Sequence, residues 1–317
     1  MEGTMNKNEQ EIKHLDMLTC NEISDKRDIP QVLCLSMQTM ALQESEEKSA
    51  ISLQKTDDKD PTYSDLTKFL VLWSLSVNII PKPLRVYLNT MPNSETFAVT
   101  EMINKVVMKF FHFEFEKIIE INAVKIYETS EIECAEFFLS RCLTLCGDPT
   151  QCSFMLVASF LSHLILSFFD EMGCFRILYV AEFCFDVLYR RLFWKVFKSK
   201  EDYESLLIFC CEFNERLERD TMPNKVCFTC GENWTDRVKD CVDILVDTFY
   251  LEESERELFQ TFYSIESTLD ISSELNEEII DSLESDPNRF HCVSNCDSEC
   301  YNYLSYVSQI SFPLFKK

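Results

Sequence analysis

Cys227 and Cys230 are the residues whose type and spacing suggest chemistry most directly. Two thiolates separated by two residues, followed here by Gly231, are typical of one half of a tetrahedral zinc site. A complete site needs a second pair of ligands, and the candidates for it are His291, Cys292, Cys296 and Cys300, about sixty residues downstream. The pattern leaves two alternatives open, a zinc- or thiol-dependent enzyme and a loop with two unrelated cysteines.

Other catalytic arrangements find little support in the composition. Loops that bind phosphate groups need closely spaced glycines, and the chain has only Gly3, Gly147, Gly173 and Gly231. This argues against P-loop nucleotidases, dinucleotide-binding enzymes and typical kinases. The chain has four histidines, and none forms the one-turn pair of a helical zinc protease. His163 lies in the most apolar stretch, where a hydrogen-bonded core histidine is expected. We therefore predict a non-catalytic protein without a cofactor.

A short motif near the N-terminus indicates a protein partner instead. Residues 18–22 read Leu18-Thr19-Cys20-Asn21-Glu22, and this L-x-C-x-E pentapeptide resembles the motif that binds pocket proteins of the retinoblastoma family. The resemblance implies an extended segment in which Leu18 and Cys20 enter apolar slots and Glu22 pairs with backbone and basic groups. Leu18, Cys20 and Glu22 are the predicted partner-binding residues. Thr19 and Glu22 also have the spacing of a helix capping box, which is the structural alternative.

The same motif gives a second hypothesis about function. D-type cyclins carry L-x-C-x-E near an acidic N-terminus ahead of their helices. Segment 133–143 resembles the cyclin-box helix that ends in a pair such as Arg-Phe, although here Arg141 is followed by Cys142. The Lys and Glu by which that family contacts its kinase have no counterparts in this sequence. A cyclin-like cell-cycle regulator that engages pocket proteins is therefore kept as an alternative.

The net charge and the cysteine content allow predictions about the partners and the compartment of the protein. The formal net charge of -24 would repel phosphate backbones, so we expect no direct contact with nucleic acid. Sixteen cysteines could suggest disulfides, but segment 1–10 is polar and does not read as a signal peptide. Many of the cysteines lie within apolar helical patterns, where a thiol packs as a small hydrophobe. We expect free thiols in a reducing compartment, the cytoplasm or the nucleus.

The elements that must position these residues are predicted to be helices. Residues 1–58 are rich in acidic and polar side chains and are interpreted as a disordered acidic tail. Residues 59–310 are interpreted as one all-α domain, a multi-helix bundle or a short stack of antiparallel helical hairpins, and residues 311–317 as a C-terminal tail. Segment 154–169 is apolar but shorter than the roughly 20 residues of a membrane span. It is therefore predicted to be a buried helix, with no membrane contact.

Several helix boundaries can be predicted from capping residues and apolar spacing. Ser130 and Glu133 have the spacing of a capping box, and Gly147 stands where a left-handed C-cap is expected. The helix over 154–172 is expected to stop at Gly173. Segment 111–116 alternates like a strand, but the helical pattern around it favours a helix. Three further expectations are a first helix that continues to Val77, a central helix over 175–197 and a helix near 233 that continues to Phe249.

These observations together favour an adaptor or regulatory subunit that acts through protein–protein contacts. The scarcity of Gly and His, the helical scaffold and the acidic tail all point in that direction. The expected partners are proteins, with a pocket protein as the named candidate through the tail. The cyclin-like regulator and the enzyme based on Cys227 and Cys230 remain the alternatives.

Overall fold

The computed structural model describes residues 61–75, 93–127, 129–219, 234–244 and 249–268. All of them belong to the unit Lys59–Lys317. Of these residues 86% are helical and none lies in a strand, which confirms the predicted all-α class. The acidic segment 1–58, the C-terminal segment 311–317 and the helices predicted beyond residue 268 lie outside the described residues.

Between residues 93 and 219 the helices follow one another with short connections. In chain order they are α1 (Pro61–Trp73), α2 (Asn93–Lys105), a π-helical turn (Val106–Phe111), α3 (His112–Ile121), α4 (Ala123–Tyr127), α5 (Glu131–Cys146), α6 (Gln151–Met172), α7 (Arg176–Arg191), a 3-10 turn (Phe193–Lys195), α8 (Lys200–Arg219), α9 (Trp234–Asp243) and α10 (Glu253–Thr268). The strand-like alternation at 111–116 is helical, as predicted.

Capping residues fix the ends of α5 and α6. Ser130 and Glu133 form the predicted capping box, in which the Ser130 backbone N–H donates to Glu133 Oε2 at 3.0 Å. Helix α6 stops at Gly173, as predicted, and Gly173 adopts the left-handed conformation. Gly147 ends α5 with φ +52° and ψ −118°, so the positive φ is confirmed although ψ lies outside the left-handed helical region. Both glycines adopt backbone conformations that a side chain would disfavour.

Helix α6 occupies the centre of the described fold. It packs against α1, α2, the π-helical turn, α3, α5 and α7, and fourteen of its side chains are buried. The prediction that segment 175–197 is the central helix is wrong in this respect. Helix α7 is buried along its whole middle, yet it packs mainly against α1, α5 and α6. Helix α6 is longer than α7 and is apolar over most of its length. It therefore has more apolar surface that can pack against neighbouring helices.

Helix α6 is also the one described helix that is long and apolar enough to cross a bilayer by length and composition. Its 22 residues have a mean hydropathy of 1.9, and 78% of its most apolar window is buried inside the fold. The core helices of water-soluble proteins have the same properties. The burial observed here agrees with a core helix, which is how the sequence was interpreted.

Three predicted helix ends are wrong by one to two turns. Helix α1 ends at Trp73 rather than near Val77, and α7 ends at Arg191 and continues only as a 3-10 turn. Helix α9 ends at Asp243, so Phe249 lies beyond it. Phe249 is nevertheless buried, and the Arg191 guanidinium lies 4.4 Å from the centre of its ring. Apolar spacing identified the buried residue in this case but not the element that carries it.

Helices α5 and α9 bind each other's C-terminal ends through two arginines. The Arg237 guanidinium of α9 donates to the carbonyl oxygens of Leu145, at 3.3 Å, and of Cys146. In return Arg141 of α5, which is fully buried, donates to the Ile244 carbonyl at 3.3 Å. The last carbonyls of a helix have no partner within it, and a cation there is favoured by the helix dipole. The two arginines therefore fix α9 antiparallel to α5.

Ion pairs join α10 to α5 and α7. Arg191 donates to both carboxylate oxygens of Glu255, with Nε at 2.7 Å from Oε1. Arg256 pairs with Glu136, which also accepts the Leu251 N–H at 3.2 Å. The Arg191 pair is bidentate and so directional as well as attractive, and the Arg256 pair adds a single contact. They place α10 so that its Phe259 ring packs on α7.

Candidate functional site

The sequence-predicted site residues lie outside the described part of the chain. This holds for the partner-binding residues Leu18, Cys20 and Glu22 and for the metal candidates Cys227 and Cys230. The structure therefore neither brings them together nor separates them. Among the described residues no group of three or more His, Cys, Asp and Glu side chains could hold a metal ion.

The polar cluster between α3 and α6 is the best candidate for chemistry in the described residues. His163 is 4% exposed, and its Nε2 lies 3.1 Å from Glu116 Oε2. Ser167, one turn further along α6, has its Oγ 3.4 Å from the same carboxylate oxygen and 3.5 Å from His163 Nε2. His112 packs edge-on against His163, with ring centroids 5.3 Å apart. The prediction that His163 is a hydrogen-bonded core histidine is confirmed.

This serine, histidine and glutamate do not have the geometry of a hydrolytic triad. A triad needs the carboxylate on one imidazole nitrogen and the serine on the other, whereas both groups here approach Nε2. When Nε2 donates its proton to Glu116, it cannot accept one from Ser167, whose hydroxyl donates to Glu116 as well. The cluster therefore resembles a satisfied polar contact between two helices.

Burial keeps His163 neutral. Loss of solvent lowers the pKa of its imidazole, and the charge of the neighbouring Glu116 only partly opposes this shift. At neutral pH the ring is uncharged and donates one hydrogen bond. A neutral donor toward the partly exposed Glu116 carboxylate suits a packing contact, because it avoids burying a charge on the imidazole.

The thiols of the described cysteines are mostly unavailable for chemistry. All nine are free, and eight of them are buried, namely Cys134, Cys142, Cys146, Cys152, Cys174, Cys184, Cys210 and Cys241. Burial raises the pKa of Cys142 and Cys184 well above the ordinary thiol value and that of Cys241 to about 12. Nucleophilic and metal-binding cysteines are thiolates, so these thiols pack as small hydrophobes.

Cys211 is the exception, since it is exposed on α8. We expect Cys211→Ser to remove one thiol from the set that reacts rapidly with Ellman's reagent in the native protein. The neighbouring Cys210→Ala should leave the rapid count unchanged, because Cys210 is buried and burial raises its thiol pKa. Stopped-flow absorbance on freshly reduced protein measures both variants. A rapid count that falls for Cys210→Ala and not for Cys211→Ser would contradict the described burial.

Helical packing explains the strand-like alternation in segment 111–116. Phe111 and Phe115 are one turn apart and both are buried, with ring centroids at 5.8 Å. Phe113 lies between them and is 82% exposed. Strand-like alternation arises because an aromatic residue occupies a solvent-facing helix position. The π turn contains one more residue per turn than the α-helix, and such insertions are frequent at functional sites.

Phe113 belongs to a set of exposed apolar side chains along α2, the π-helical turn and α3. Phe97, Met108, Phe113 and Ile121 are 59%, 67%, 82% and 54% exposed, and we call these four side chains the exposed apolar set. Folding does not need them, because other residues of the same helices supply the core. Apolar periodicity did not predict them, although the alternation at Phe113 was a signal. An exposed apolar set of this kind is typical of protein contact sites.

The comparisons with known proteins do not identify a family for this chain. The resemblance to pocket-binding segments rests on residues 18–22 alone, and the helical fold on the structure described above. No model of a protein family, no curated protein and no solved structure matches the chain.

Proposed function

We propose that the protein is a non-catalytic adaptor or regulatory subunit that acts through protein–protein contacts. The observation that supports this most is the exposure of large apolar side chains, the exposed apolar set, on a domain that is otherwise densely packed. The His163 imidazole and eight of the nine described thiols are instead buried, and burial favours their neutral forms. A helical scaffold that buries its reactive groups and exposes apolar ones suits binding better than catalysis.

The named partner of the proposal is a retinoblastoma-type pocket protein, and the contact residues are Leu18, Cys20 and Glu22. The pentapeptide would bind as an extended strand whose alternate side chains enter pockets. Leu18 and Cys20 would supply the apolar burial and Glu22 the charged hydrogen bond. Such a contact would take place in the cytoplasm or nucleus, without nucleic acid or membrane.

The substitution Cys20→Gly tests this contact. Titration calorimetry of the full chain into a purified pocket domain should give a dissociation constant in the micromolar range or tighter for wild type. Cys20→Gly should weaken binding by about tenfold or more, because it removes one of two apolar anchors from a short segment. The matched control is Thr19→Ala, which changes an x position of the motif. The thermal midpoint of both variants should equal that of wild type.

Two results would contradict the proposed contact. One is a wild-type chain that fails to bind the pocket domain at any concentration up to about 100 µM, the upper end of weak specific recognition. The other is a Cys20→Gly variant that binds as tightly as Thr19→Ala.

A further inference from the structure

Two histidines meet at the contact between α3 and α6. The half-buried His112 ring of α3 packs edge-on against the buried His163 ring of α6, with centroids 5.3 Å apart. The Phe115 ring of α3 lies 6.0 Å from the His163 ring. We call His112 and His163 the histidine pair. Imidazole is the side chain whose charge ordinarily changes between pH 5 and 8, so mild acidification acts on this contact.

One carboxylate stands against the histidine pair. Among the described residues, the groups whose charge acts on His163 are Glu116, at 3.1 Å, and His112, both on α3. The next titratable group is Tyr127 of α4. Burial raises the pKa of its phenol, and the charges of Glu171 of α6 and of Glu116 add to this rise. Glu116 can therefore balance no more than one of the two positive charges that protonation of the pair adds.

The folded arrangement is unfavourable for two charged imidazoles. Burial lowers the pKa of His163; Glu116 partly opposes this shift, and His112 adds to it. The Nδ1 atom of His112 is buried and makes no hydrogen bond within the described part of the chain. Both nitrogens of a charged imidazole are donors. Protonation of His112 would therefore leave a buried N–H group without an acceptor, which is costly.

Helix α3, which carries His112 and Glu116, is bounded by a non-helical residue at each end. Phe111, which precedes it, has φ −128° and ψ 17°, and Asn122, which follows it, has φ −112° and ψ 16°. Residues at the ends of an element are the usual positions of hinges. These two residues separate α3 from the helices before and after it, so α3 can turn without unwinding its neighbours.

We propose that the histidine pair is an acid-sensitive contact that releases α3 from α6 while the other described helices stay folded. In their neutral forms the two imidazoles pack against each other. When each takes up a proton, two positive charges share a contact that contains one carboxylate. A turn of α3 about Phe111 and Asn122 separates these charges and lets water reach both rings.

The direction of the His163 shift sets the pH range of the release. Because folding lowers the pKa of His163, its contribution to stability is complete above the ordinary value of about 6.5 and is lost as the pH falls below it. Carboxylates with a lowered pKa, such as Glu133 and Asp202, lose their contribution only below their ordinary values of 4.5 and 3.8. A comparison of about pH 7.5 with about pH 5.5 therefore isolates the histidines.

Hydrogen–deuterium exchange of the full chain at these two pH values, followed by mass spectrometry, measures the release. Exchange times are scaled so that an unstructured chain exchanges equally at both pH values. We expect the protection of segment 112–121 to fall by about five- to tenfold at the lower pH, the effect of one excluded proton over about one pH unit. The protection of segment 131–146, helix α5, should change little.

The variant His163→Gln removes the titration from the contact. Glutamine keeps a side-chain N–H donor for Glu116 but takes up no proton, so segment 112–121 should be protected equally at both pH values. His112→Gln should respond less than wild type, because one of the two positive charges is lost. The matched control is Ser167→Ala, which changes a neighbour that does not titrate and should respond to pH like wild type. Circular dichroism at the higher pH checks that all three variants fold.

The proposal is overturned if the protection of segment 112–121 in the wild-type chain is the same at both pH values. It is also overturned if that protection falls together with the protection of α5, because the whole domain then opens. A full wild-type response in His163→Gln, or in His112→Gln where the first variant does not fold, would refute it as well. None of these outcomes bears on the pocket contact, which uses residues 18–22.

Discussion

We expect Phe154→Ala to lower the free energy of unfolding by about 3–5 kcal/mol, the cost of removing a large buried ring and leaving a cavity. Phe154 is fully buried on α6. Its ring contacts those of Phe197 at 5.0 Å, Phe193 at 5.3 Å and Tyr63 at 6.0 Å between centroids. These neighbouring rings belong to α1 and to the segment after α7. Because they are held by different elements, they cannot all move to fill the cavity. The loss is a large fraction of the roughly 5–15 kcal/mol by which domains are stable.

The matched control for this prediction is Phe113→Ala. It makes the same truncation at a position that is 82% exposed, and surface substitutions of this kind change stability by about 0.5 kcal/mol or less. Urea unfolding followed by circular dichroism measures both variants. Equal losses for Phe154→Ala and Phe113→Ala would contradict the burial on which the fold is described.

The second large effect is expected for Gly147→Ala. A Cβ at Gly147 would lie 2.8 Å from Arg237 Cζ, and the backbone there has φ +52°. The strained backbone costs about 1–3 kcal/mol, and displacement of Arg237 from the Leu145 and Cys146 carbonyls costs about 1 kcal/mol more. We expect a total loss of about 2–4 kcal/mol in thermal or urea unfolding.

Two further variants separate these causes. Gly173→Ala, at φ +60° in the left-handed region, should cost only about 1–2 kcal/mol. Arg237→Ala removes the clashing guanidinium, so Gly147→Ala should cost less in that background than in wild type. If Gly147→Ala cost the same in both backgrounds, the contact between Arg237 and the end of α5 would not contribute as described.

The sequence predicted those parts of the fold that depend on local capping chemistry. Ser130 with Glu133 and Gly173 sit at the helix ends where their side chains or backbone freedom are needed. Helix ends without such residues were predicted one to two turns too far, as at Trp73 and Asp243. Apolar spacing continues beyond those ends because loop residues such as Phe249 also pack into the core.

Contacts between distant residues could not be predicted. Glu116 lies 47 residues from His163, and Arg237 lies 91 residues from the Cys146 carbonyl that it binds. Apolar periodicity places such residues on helices, but it gives neither the neighbours of a helix nor its rotation. The π-helical turn was missed for the same reason, because a single inserted residue shifts the helix face without changing residue types.

A competition experiment tests most directly the central claim that a pocket protein is recognised through residues 18–22. The full chain is bound to a labelled pocket domain, and a synthetic peptide of residues 13–27 is added while fluorescence anisotropy is recorded. We predict that the peptide displaces the chain with an affinity within about threefold of the chain's own, and that the Cys20→Gly peptide does not displace it. A complex that stays intact at saturating wild-type peptide, or a full chain that forms no complex, would contradict the claim.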